Sequence, residues 1–396
     1  MNRVPTGPVR IVAVVGARPN FMKVAPVLRA MADRSRFDPI LVHTGQHYDA
    51  ALSDTFFEEL GMPSPDVHLG VGSASHAAQT ARILEGFAPV LEANRPDLVL
   101  VAGDVNSTLA CALAAVKLSV PVAHIEAGLR SGDRTMPEEI NRVLTDSISD
   151  LLFTTSAEAR SNLEREGADA STIHFVGNSM IDTLRRFEDK ARDRPIVRER
   201  GLTAGRYALV TLHRPSNVDS GRDMERVLQL LTLLVERMPV AFPIHPRTRA
   251  NLEAAGKLVA LEAIPELRLL PPLGYLDFLA LMMHASVVVT DSGGVQEETT
   301  ALGVDCLTLR PNTERPVTVT EGTNLLVNDD PRALLRALDD SRTRPRHARL
   351  PEKWDGQAGA RIAAVIRDWF ERGAPSRVRA GELRTAPGPE STSAGN

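Results

Sequence analysis

Cysteine is scarce in this chain, and its scarcity excludes two ways of holding a fold together. Of 396 residues only Cys111 and Cys306 are cysteines, and they lie far apart in apolar segments. This number and spacing exclude a disulfide framework and match no zinc-binding pattern. We expect both side chains to be buried as small apolar groups.

Excess positive charge and long apolar runs are also absent. Lysine and arginine total 46 against 50 aspartates and glutamates, with no basic stripe, so nucleic acid is not an expected partner. Residues Met1 to Arg10 lack the apolar core of a signal peptide, and no apolar run is long enough to span a bilayer. We therefore expect a cytoplasmic protein without a membrane partner.

What is present is typical of a globular protein with large apolar cores. Apolar residues make up 43% and charged residues 24% of the chain, and the length suffices for two domains. Short valine-rich runs alternate with helical patterns, which predicts an α/β fold with parallel sheets. A charged stretch from Asp182 to Gly205 separates two such series. We place one domain at 1–180, a second at 181–372 whose last helix packs back on the first, and a disordered tail at 373–396, which is rich in glycine, proline and serine.

The stretch around which the chain is organised is Thr290 to Glu298, with the sequence TDSGGVQEE. A valine-rich strand is predicted just before it and a helix after the glycines. Glycines at such a turn let the backbone approach a phosphate, and the first N–H groups of a helix have no internal partner. The candidate phosphate ligands are Ser292, Gly293 and Gly294. Glu298 is placed to accept hydrogen bonds from ribose hydroxyls, and the alternative is a glycine-rich helix cap with solvated acids.

Two other predicted strand ends have cationic side chains. Arg18 follows the strand at 10–15, and Lys23 lies in the first turn of the helix expected from Phe21. Ligands of open α/β sheets bind beyond the carboxyl ends of the strands, where an arginine and a lysine suit a diphosphate. A surface pair is the alternative. His213 and Arg214 follow the strand at 207–211 and face the same edge by the same rule.

Acidic side chains follow two further strands. Asp104 and Glu126 end successive predicted strands, and Glu138 lies in the first turn of a helix opened by Pro137. A single acid at a strand end is usually a helix cap, but two beside an anion site indicate a chemical role. On the Pro137 helix, Arg142 and Asp146 are adequately explained as an intrahelical salt-bridge ladder.

The apolar face of that helix is expected to point to the core. The residues on this face are Ile140, Leu144 and Ile148. Glu138, at the start of the helix, can instead face the crevice.

Common cofactor patterns are missing. The segment Gly70-Val71-Gly72 lacks the third glycine of a dinucleotide loop and is better interpreted as a cap of the following helix, so no nicotinamide is expected. No second histidine or cysteine lies at ligand spacing from His213, so no metal is expected either. Phe278 opens a short helix where an aromatic ring could stack on a nucleobase, although core packing is its more common fate.

Taken together, these motifs resemble the non-hydrolysing UDP-N-acetylglucosamine 2-epimerase family. Six segments match in order between about Ile11 and Leu326: GARPNFMKVAPV, GDVNSTLA, HIEAGLRS, PEEINR, TLHRPSN and TDSGGVQEE. The resemblance implies a GT-B architecture, in which two Rossmann-like domains face a deep cleft, and a homodimer. It implies that the diphosphate is held by Arg18, His213, Arg214, Ser292, Gly293 and Gly294. Glu298 would hold the ribose and Phe278 would lie near the uracil.

The same resemblance assigns the chemistry. Asp104, Glu126 and Glu138 match the catalytic carboxylates, and Lys23 matches a lysine of the cleft; with His213 they form our catalytic set. Because C2 of an N-acetylhexosamine has no adjacent carbonyl and no nicotinamide site is present, we expect elimination of UDP to a glycal followed by re-addition. UDP-GlcNAc would become UDP-ManNAc without metal or cofactor.

Several alternatives stay open at this point. Asp49 stands where regulated relatives have a glutamine, which argues against allosteric activation, and relatives with this motif also act on modified UDP-sugars such as a diacetamido-uronic acid. A hydrolysing epimerase, which releases UDP and free ManNAc, is a further alternative, because the sequence does not show whether the cleft excludes water. A GT-B glycosyltransferase is less compatible, because retaining members commonly have two glutamates separated by seven residues, which this loop lacks.

Overall fold

The computed structural model describes residues 7–46, 59, 61–327, 331–343 and 349–373. The N-terminal half builds a sheet of parallel strands in the order β3-β2-β1-β4-β5-β6-β7. Its strands are β1 (Val9–Val15), β2 (Phe37–His43), β3 (Val67–His68), β4 (Leu98–Ala102), β5 (Val122–Ala127), β6 (Leu151–Thr154) and β7 (Ile173–Phe175). The order reverses between β1 and β4, and a crevice for ligands is expected at such a switch point.

The C-terminal half repeats this plan with a second parallel sheet in the order β10-β9-β8-β11-β12-β13. Its strands are β8 (Ala208–Thr211), β9 (Val240–Pro243), β10 (Leu267–Leu270), β11 (Val287–Thr290), β12 (Asp305–Thr308) and β13 (Asn324–Leu326). Here the switch point lies between β8 and β11. The central strands of both sheets are buried apolar runs, as the sequence predicts for parallel strands covered on both faces.

Helices connect the strands. In the first half they are α1 (Arg18–Ala30), α2 (His76–Asn94), α3 (Asn106–Lys117), α4 (Pro137–Ile148), α5 (Ala157–Arg165), α6 (Ser179–Arg192) and α7 (Ile196–Glu199). In the second half they are α8 (Pro215–Val218), α9 (Gly221–Val235), α10 (Pro246–Ala254), α11 (Leu258–Glu262), α12 (Tyr275–His284), α13 (Gly293–Leu302), α14 (Val317–Thr320), α15 (Pro331–Thr343) and α16 (Ala358–Glu371). This alternation confirms the predicted α/β class with two parallel sheets.

The closing helix α16 packs on elements of the first half. Asp182 on α6 accepts hydrogen bonds from the N–H groups of Ala358 (3.1 Å) and Gly359 (2.7 Å) at the start of α16. A Cβ atom on Gly359 would lie 2.7 Å from the backbone of Pro26, so this close approach to α1 requires glycine. Our domain boundary near residue 180 stays a prediction, and the predicted tail lies outside the described residues apart from Gly373.

The core is continuous across the two halves. One cluster of buried residues joins Phe21 of α1, Phe187 of α6, Tyr275 of α12 and Ile362 of α16. Both cysteines are buried, as predicted. Within the described part of the chain, no helix combines the length and apolar character needed to cross a membrane.

Two predictions about helices are wrong. Helix α1 begins at Arg18 rather than Phe21, so Arg18 is its first residue instead of part of the preceding turn. On α4 the predicted core face is wrong at two of its three residues: Ile140 and Leu144 are 42% and 45% exposed, whereas Arg142 and Asp146 are buried. Ile148 is partly buried against an apolar core, as predicted. The physical reason is that charged and polar groups at the ends of β4 and β5 provide buried partners for the charged face. The salt-bridge ladder is therefore absent among the ion pairs of the described residues.

Candidate active site

The carboxyl ends of β4 and β5 bring the predicted cation and two of the predicted acids together. The Lys23 ammonium of α1 forms a short ion pair with the Glu126 carboxylate, and both side chains are about as buried as core residues. Gly103 lies between them with φ at 68°, and a Cβ atom there would stand 2.9 Å from Lys23 Nζ and 3.3 Å from Glu126 Oε2. Glycine before Asp104 is thus needed both for backbone conformation and for space.

Glu126 has an unusual backbone. Its φ is 73°, a region that residues with a side chain rarely adopt, and the pairing of β5 with β6 shifts register between Ile125 and Ala127. A β-bulge of this kind re-aims one side chain out of the strand's alternation. Such a conformation typically costs about 1–3 kcal/mol and is frequent at functional sites. The bulge turns the Glu126 carboxylate toward Lys23.

Asp104 is held from the other side by α4. Arg142 forms a short ion pair with Asp104 and a second one, 2.7 Å long, with Glu139. Glu139 also accepts hydrogen bonds from the N–H groups of Ser131 (3.0 Å) and Gly132 (2.9 Å). Burial raises the pKa of Asp104, but the nearby Arg142 and Lys23 charges outweigh burial and lower that pKa below its ordinary value.

At the end of β8 in the second sheet, His213 and Arg214 both donate to one buried carboxylate. Buried Asp291 accepts hydrogen bonds from the N–H groups of His213 (3.0 Å) and Arg214 (2.9 Å) and from Asn217 Nδ2 (3.0 Å). His213 Nδ1 lies 3.0 Å from Asp291 Oδ1, and the imidazole is 38% exposed. Burial raises the pKa of Asp291, but these donors bring it down to about 2. The carboxylate therefore orients His213 with its ring open to solvent.

At the end of β11 the glycine turn begins α13 directly. Ser292 is the residue before the helix, which starts at Gly293. A Cβ atom on Gly293 would collide with the Arg315 guanidinium, and one on Gly294 would stand 3.0 Å from Met180 Cε. The Glu314 carboxylate also lies 2.8 Å from the Gly293 Cβ position, so an acid, an arginine and the N–H groups of a helix start meet at one point. The N–H groups and the arginine favour an anion there.

Arg315 connects the two halves of the molecule. Its guanidinium lies 2.8 Å from Glu126 Oε1, 2.9 Å from Glu297 Oε1 and 2.5 Å from Glu314 Oε1, and all four side chains are buried. The contact with Glu297 is an ion pair without a hydrogen bond, because neither Glu297 oxygen has a hydrogen-bond partner among the described residues. Burial raises the pKa of Glu297 to about 7, although Arg315 opposes this shift.

Glu314 links this pair to further arginines. It lies 2.7 Å from Arg310 Nη2 and 3.6 Å from Arg214 Nη2. Burial raises its pKa, but the surrounding arginines lower it well below its ordinary value. Glu314 is therefore an ionised carboxylate that holds several cations close to the start of α13.

A separate hydrogen bond joins α12 to α13. Tyr275 Oη donates a hydrogen bond to Glu298 Oε1 at 3.0 Å. Burial raises the pKa of Glu298 to about 7, against the effects of Tyr275 and Arg18. Burial lowers the pKa of Arg18 below its ordinary value, and the Glu298 charge opposes part of this shift. Arg18 and Glu298 thus interact across the two halves.

The chain is similar to known proteins along most of its length. A family model described as UDP-N-acetylglucosamine 2-epimerase matches residues 29–367. The chain belongs to the UDP-N-acetylglucosamine 2-epimerase family. The enzyme named UDP-N-acetylglucosamine 2-epimerase from Methanocaldococcus jannaschii is 40% identical over 358 residues, which cover 89% of this chain and 97% of that one. Members of this family are isomerases, and the predicted enzyme class is confirmed.

A relative named for a modified sugar has a comparable identity over a shorter match. UDP-2,3-diacetamido-2,3-dideoxy-D-glucuronate 2-epimerase of Pseudomonas aeruginosa is 42% identical over 322 residues, or 80% of this chain and 88% of that one. Among solved structures, the M. jannaschii UDP-GlcNAc 2-epimerase in complex with UDP-GlcNAc and UDP superposes with a TM-score of 0.85 at 39% identity. That match covers 90% of this chain and 99% of the other, and with the two parallel sheets it confirms the GT-B architecture.

The structure of this epimerase-family member divides the predicted site residues into groups. The first, around Glu126, contains Lys23, Asp104 and Glu126, and the second contains His213, Arg214, Ser292, Gly293 and Gly294; Arg315 and Glu314 connect them. The third contains Arg18 and Glu298. Burial lowers the pKa of Arg214, and the charge of half-buried Glu138 is one of those that oppose this shift. Phe278 is partly buried against the apolar core, one turn after Tyr275.

Several residues of this candidate site were not predicted from the sequence. They are Arg310, Glu314 and Arg315 after β12, with Glu297, Asp291 and Tyr275. The strand-end rule could have found the first three, because the segment RPNTERP directly follows the buried strand β12 and its Leu309. Among the described residues, no group of three histidines, cysteines or acids could hold a metal ion.

Proposed function

We propose that this enzyme inverts C2 of a UDP-N-acetylhexosamine and interconverts UDP-GlcNAc and UDP-ManNAc. The observation that supports this best is the position of Glu126. It is a buried carboxylate between two cations, Lys23 and Arg315, and one of them, Arg315, also touches the start of α13. This position supports a role for Glu126 as a base next to the proposed site of the leaving diphosphate.

In the proposed binding mode, the UDP part of the substrate lies against the second sheet. The diphosphate lies at the start of α13, with Arg214, His213 and the N–H groups of Gly293 and Gly294 as donors. The ribose hydroxyls donate to Glu298, and the uracil lies near Phe278, as the family resemblance implies. Arg18, on the opposite wall, completes the anion site. The sugar then projects toward Glu126 and the first sheet.

The chemistry follows as an elimination and its reversal. The bond from C1 to the diphosphate oxygen breaks with its electron pair passing to UDP, while a carboxylate removes the C2 proton and a C1=C2 double bond forms. A second group then returns a proton to the other face of C2, and the UDP oxygen adds back to C1. Asp104, Glu126 and Glu138 are the proposed proton-exchanging and charge-stabilising groups, with Lys23 and His213 beside them.

A modified UDP-sugar is the second candidate substrate. The relative from P. aeruginosa, at 42% identity, is named for a diacetamido-glucuronate. Elimination and re-addition at C1 and C2 leave C3 and C6 unchanged, so the same catalytic groups serve either sugar. The two candidates differ in the groups that contact C3 and C6.

The test follows the C2 proton by NMR. The purified enzyme is incubated in D2O with UDP-GlcNAc and, separately, with UDP-2,3-diacetamido-2,3-dideoxy-D-glucuronate, in buffer containing EDTA and no nicotinamide. We expect UDP-ManNAc with deuterium at C2. Turnover of only the uronate would support the second candidate, whereas product without deuterium, or loss of activity on chelation restored by magnesium, would contradict the mechanism.

The pH dependence of binding tests the role of Glu298. Only the carboxylate accepts well from ribose hydroxyls, and the pKa of Glu298 is raised to about 7. Binding of UDP-GlcNAc should therefore tighten by about tenfold from pH 6 to pH 8 as the group loses its proton. Calorimetry in a Glu126→Gln background avoids turnover. The matched control adds Glu298→Gln, which should lose this trend; equal trends in both proteins would contradict the assignment.

Two further predictions concern the state of the protein. We propose a homodimer, as the resemblance implies, and a cytoplasmic location. Light scattering of the purified chain measures the first directly, and a monomeric mass at micromolar concentration would contradict it.

A further inference from the structure

A buried histidine lies behind the proposed acids and has no role in the chemistry described so far. His124 is on β5, two residues before Glu126, and is completely buried. Its Nδ1 lies 2.7 Å from Asp146 Oδ1, and its Nε2 lies 2.8 Å from the carbonyl oxygen of Gly103. Both ring nitrogens thus face oxygen atoms at hydrogen-bond distance.

The chemistry of these two partners determines where the ring protons are. A peptide carbonyl can only accept a hydrogen bond, so Nε2 must donate. An ionised carboxylate can also only accept, so Nδ1 must donate as well. A neutral imidazole would place a nitrogen lone pair against one of the two oxygens. Donation by both nitrogens makes His124 an imidazolium.

Asp146 has the surroundings of an ionised group. It accepts a hydrogen bond from the Gly128 N–H at 3.0 Å and forms an ion pair with Arg130 Nη1 at 2.8 Å. Burial raises its pKa, but His124 and Arg130 outweigh burial and lower that pKa below the ordinary value. Arg130 is in turn bound by Glu166 through two hydrogen bonds of 2.8 and 2.6 Å. The cluster therefore contains two cations and two anions.

Both ends of this couple hold backbone next to a proposed catalytic acid. The Gly103 carbonyl held by His124 belongs to the peptide group that leads into Asp104. The Gly128 N–H held by Asp146 lies just beyond the bulge at Glu126, where the backbone is strained. One side-chain pair thus joins the segment at the end of β4 to the segment at the end of β5.

We propose that His124 and Asp146 form a charged positioning couple, in which a doubly protonated imidazole fixes Asp104 and Glu126 relative to each other. The proposal rests on the proposed epimerase function of these acids. The couple does not touch substrate and exchanges no proton during turnover. The positive charge of His124 and the negative charge of Asp146 cancel, so proton movement at Glu126 leaves the couple intact. Without it, the strained bulge is free to relax and the carboxylates move apart.

The first test determines whether both ring nitrogens of His124 bear a proton in the ligand-free enzyme. Protein labelled with ¹⁵N in its 10 histidines is examined by NMR at pH 7.5, and the His124 signal is the one lost in His124→Gln. We expect both nitrogens of that ring to bear hydrogen. A bare nitrogen in that ring would overturn the proposal. This measurement needs no substrate and is independent of the proposed function.

The second test separates positioning from support of the fold. His124→Gln keeps one amide donor but cannot bridge both acceptors, and we expect kcat to fall by about tenfold to a hundredfold, as for other small misplacements of catalytic groups. The dissociation constant of UDP should change by less than about twofold. His174→Gln on the edge strand β7 is the matched control, because it makes the same substitution in the same sheet at a histidine that is only partly buried; its kcat should stay at the wild-type level.

A double variant completes the cycle. Asp146→Asn should also lower kcat. The double variant, His124→Gln with Asp146→Asn, should have a kcat little lower than that of either single variant, because both changes break the same couple. Additive losses in kcat would overturn the couple, as would an unchanged kcat in His124→Gln. If wild-type enzyme epimerises neither UDP-sugar, the proposed function fails at that control, before any variant is compared.

Discussion

Glu126→Gln should lower kcat by about a hundred- to ten-thousand-fold, the range for loss of a general acid or base. Glutamine keeps the size of the side chain and can still accept a hydrogen bond from Arg315, but it cannot take a proton from C2. The loss should appear in kcat rather than in UDP affinity, which should hold or increase because a negative charge near the diphosphate is removed. Initial rates and calorimetry with UDP measure the two quantities separately.

Glu158→Gln is the matched control for this change. Glu158 also connects the two halves of the molecule, since it accepts the Val317 N–H at 3.0 Å, and an amide oxygen can still do so. We expect nearly wild-type kcat from it. Asp104→Asn and Glu138→Gln extend the series. If all three acid variants keep normal turnover and normal deuterium uptake at C2, the catalytic residues have been assigned wrongly.

Arg315→Met should destabilise the folded enzyme by about 3–5 kcal/mol at pH 8, the usual cost of removing one partner of a buried ion pair. The variant leaves Glu126 with Lys23 and Glu314 with Arg310, but Glu297 loses the only ion-pair partner it has among the described residues. Urea denaturation measures the free energy of unfolding. Arg315→Lys, which keeps the charge, should recover part of the loss.

The sign of the pH dependence distinguishes this cause from lost packing. The pKa of folded Glu297 is already raised to about 7, and removal of Arg315 raises it further. In the unfolded chain a glutamate titrates near about 4.3. A raised folded pKa favours the protonated form, so the penalty is complete above the folded pKa and disappears below the unfolded one. The deficit should therefore be smaller at pH 5.5 than at pH 8.

A surface arginine provides the control for this experiment. Arg36 forms an ion pair with Asp33 at 3.2 Å, and both side chains are more than half exposed. Arg36→Met should leave the free energy of unfolding nearly unchanged at either pH, as for other surface pairs. An Arg315→Met deficit that is equal at both pH values would indicate packing rather than charge as its cause.

Parts of the site could be predicted because parallel strands present their carboxyl ends at one edge. Asp104, Glu126, His213 and Ser292 each follow a buried apolar run, and that local signal places them near the crevice. The direction of α4 could not be predicted in the same way. Its apolar residues form a regular face, yet buried ion pairs on the opposite face decide its orientation.

The missed residues have partners that are distant in sequence. Arg315 binds Glu126, which lies 189 positions earlier, and Tyr275 binds Glu298 from another helix. No periodicity or turn motif encodes such a pairing. The position of RPNTERP after a buried strand places it near the crevice, but only the fold shows that Arg315 in this segment meets Glu126 of the other sheet.

The sequence by itself determined the α/β class, the two series of strands, the strand-end positions of most site residues and the family, because these depend on local patterns of apolar residues and on contiguous motifs. Only the tertiary structure decided which charges meet. It placed Arg315 between Glu126, Glu297 and Glu314 and His124 between Asp146 and Gly103. The physical reason is that burial makes an isolated charge costly, so each charged side chain adopts the orientation in which the complete fold supplies its partner.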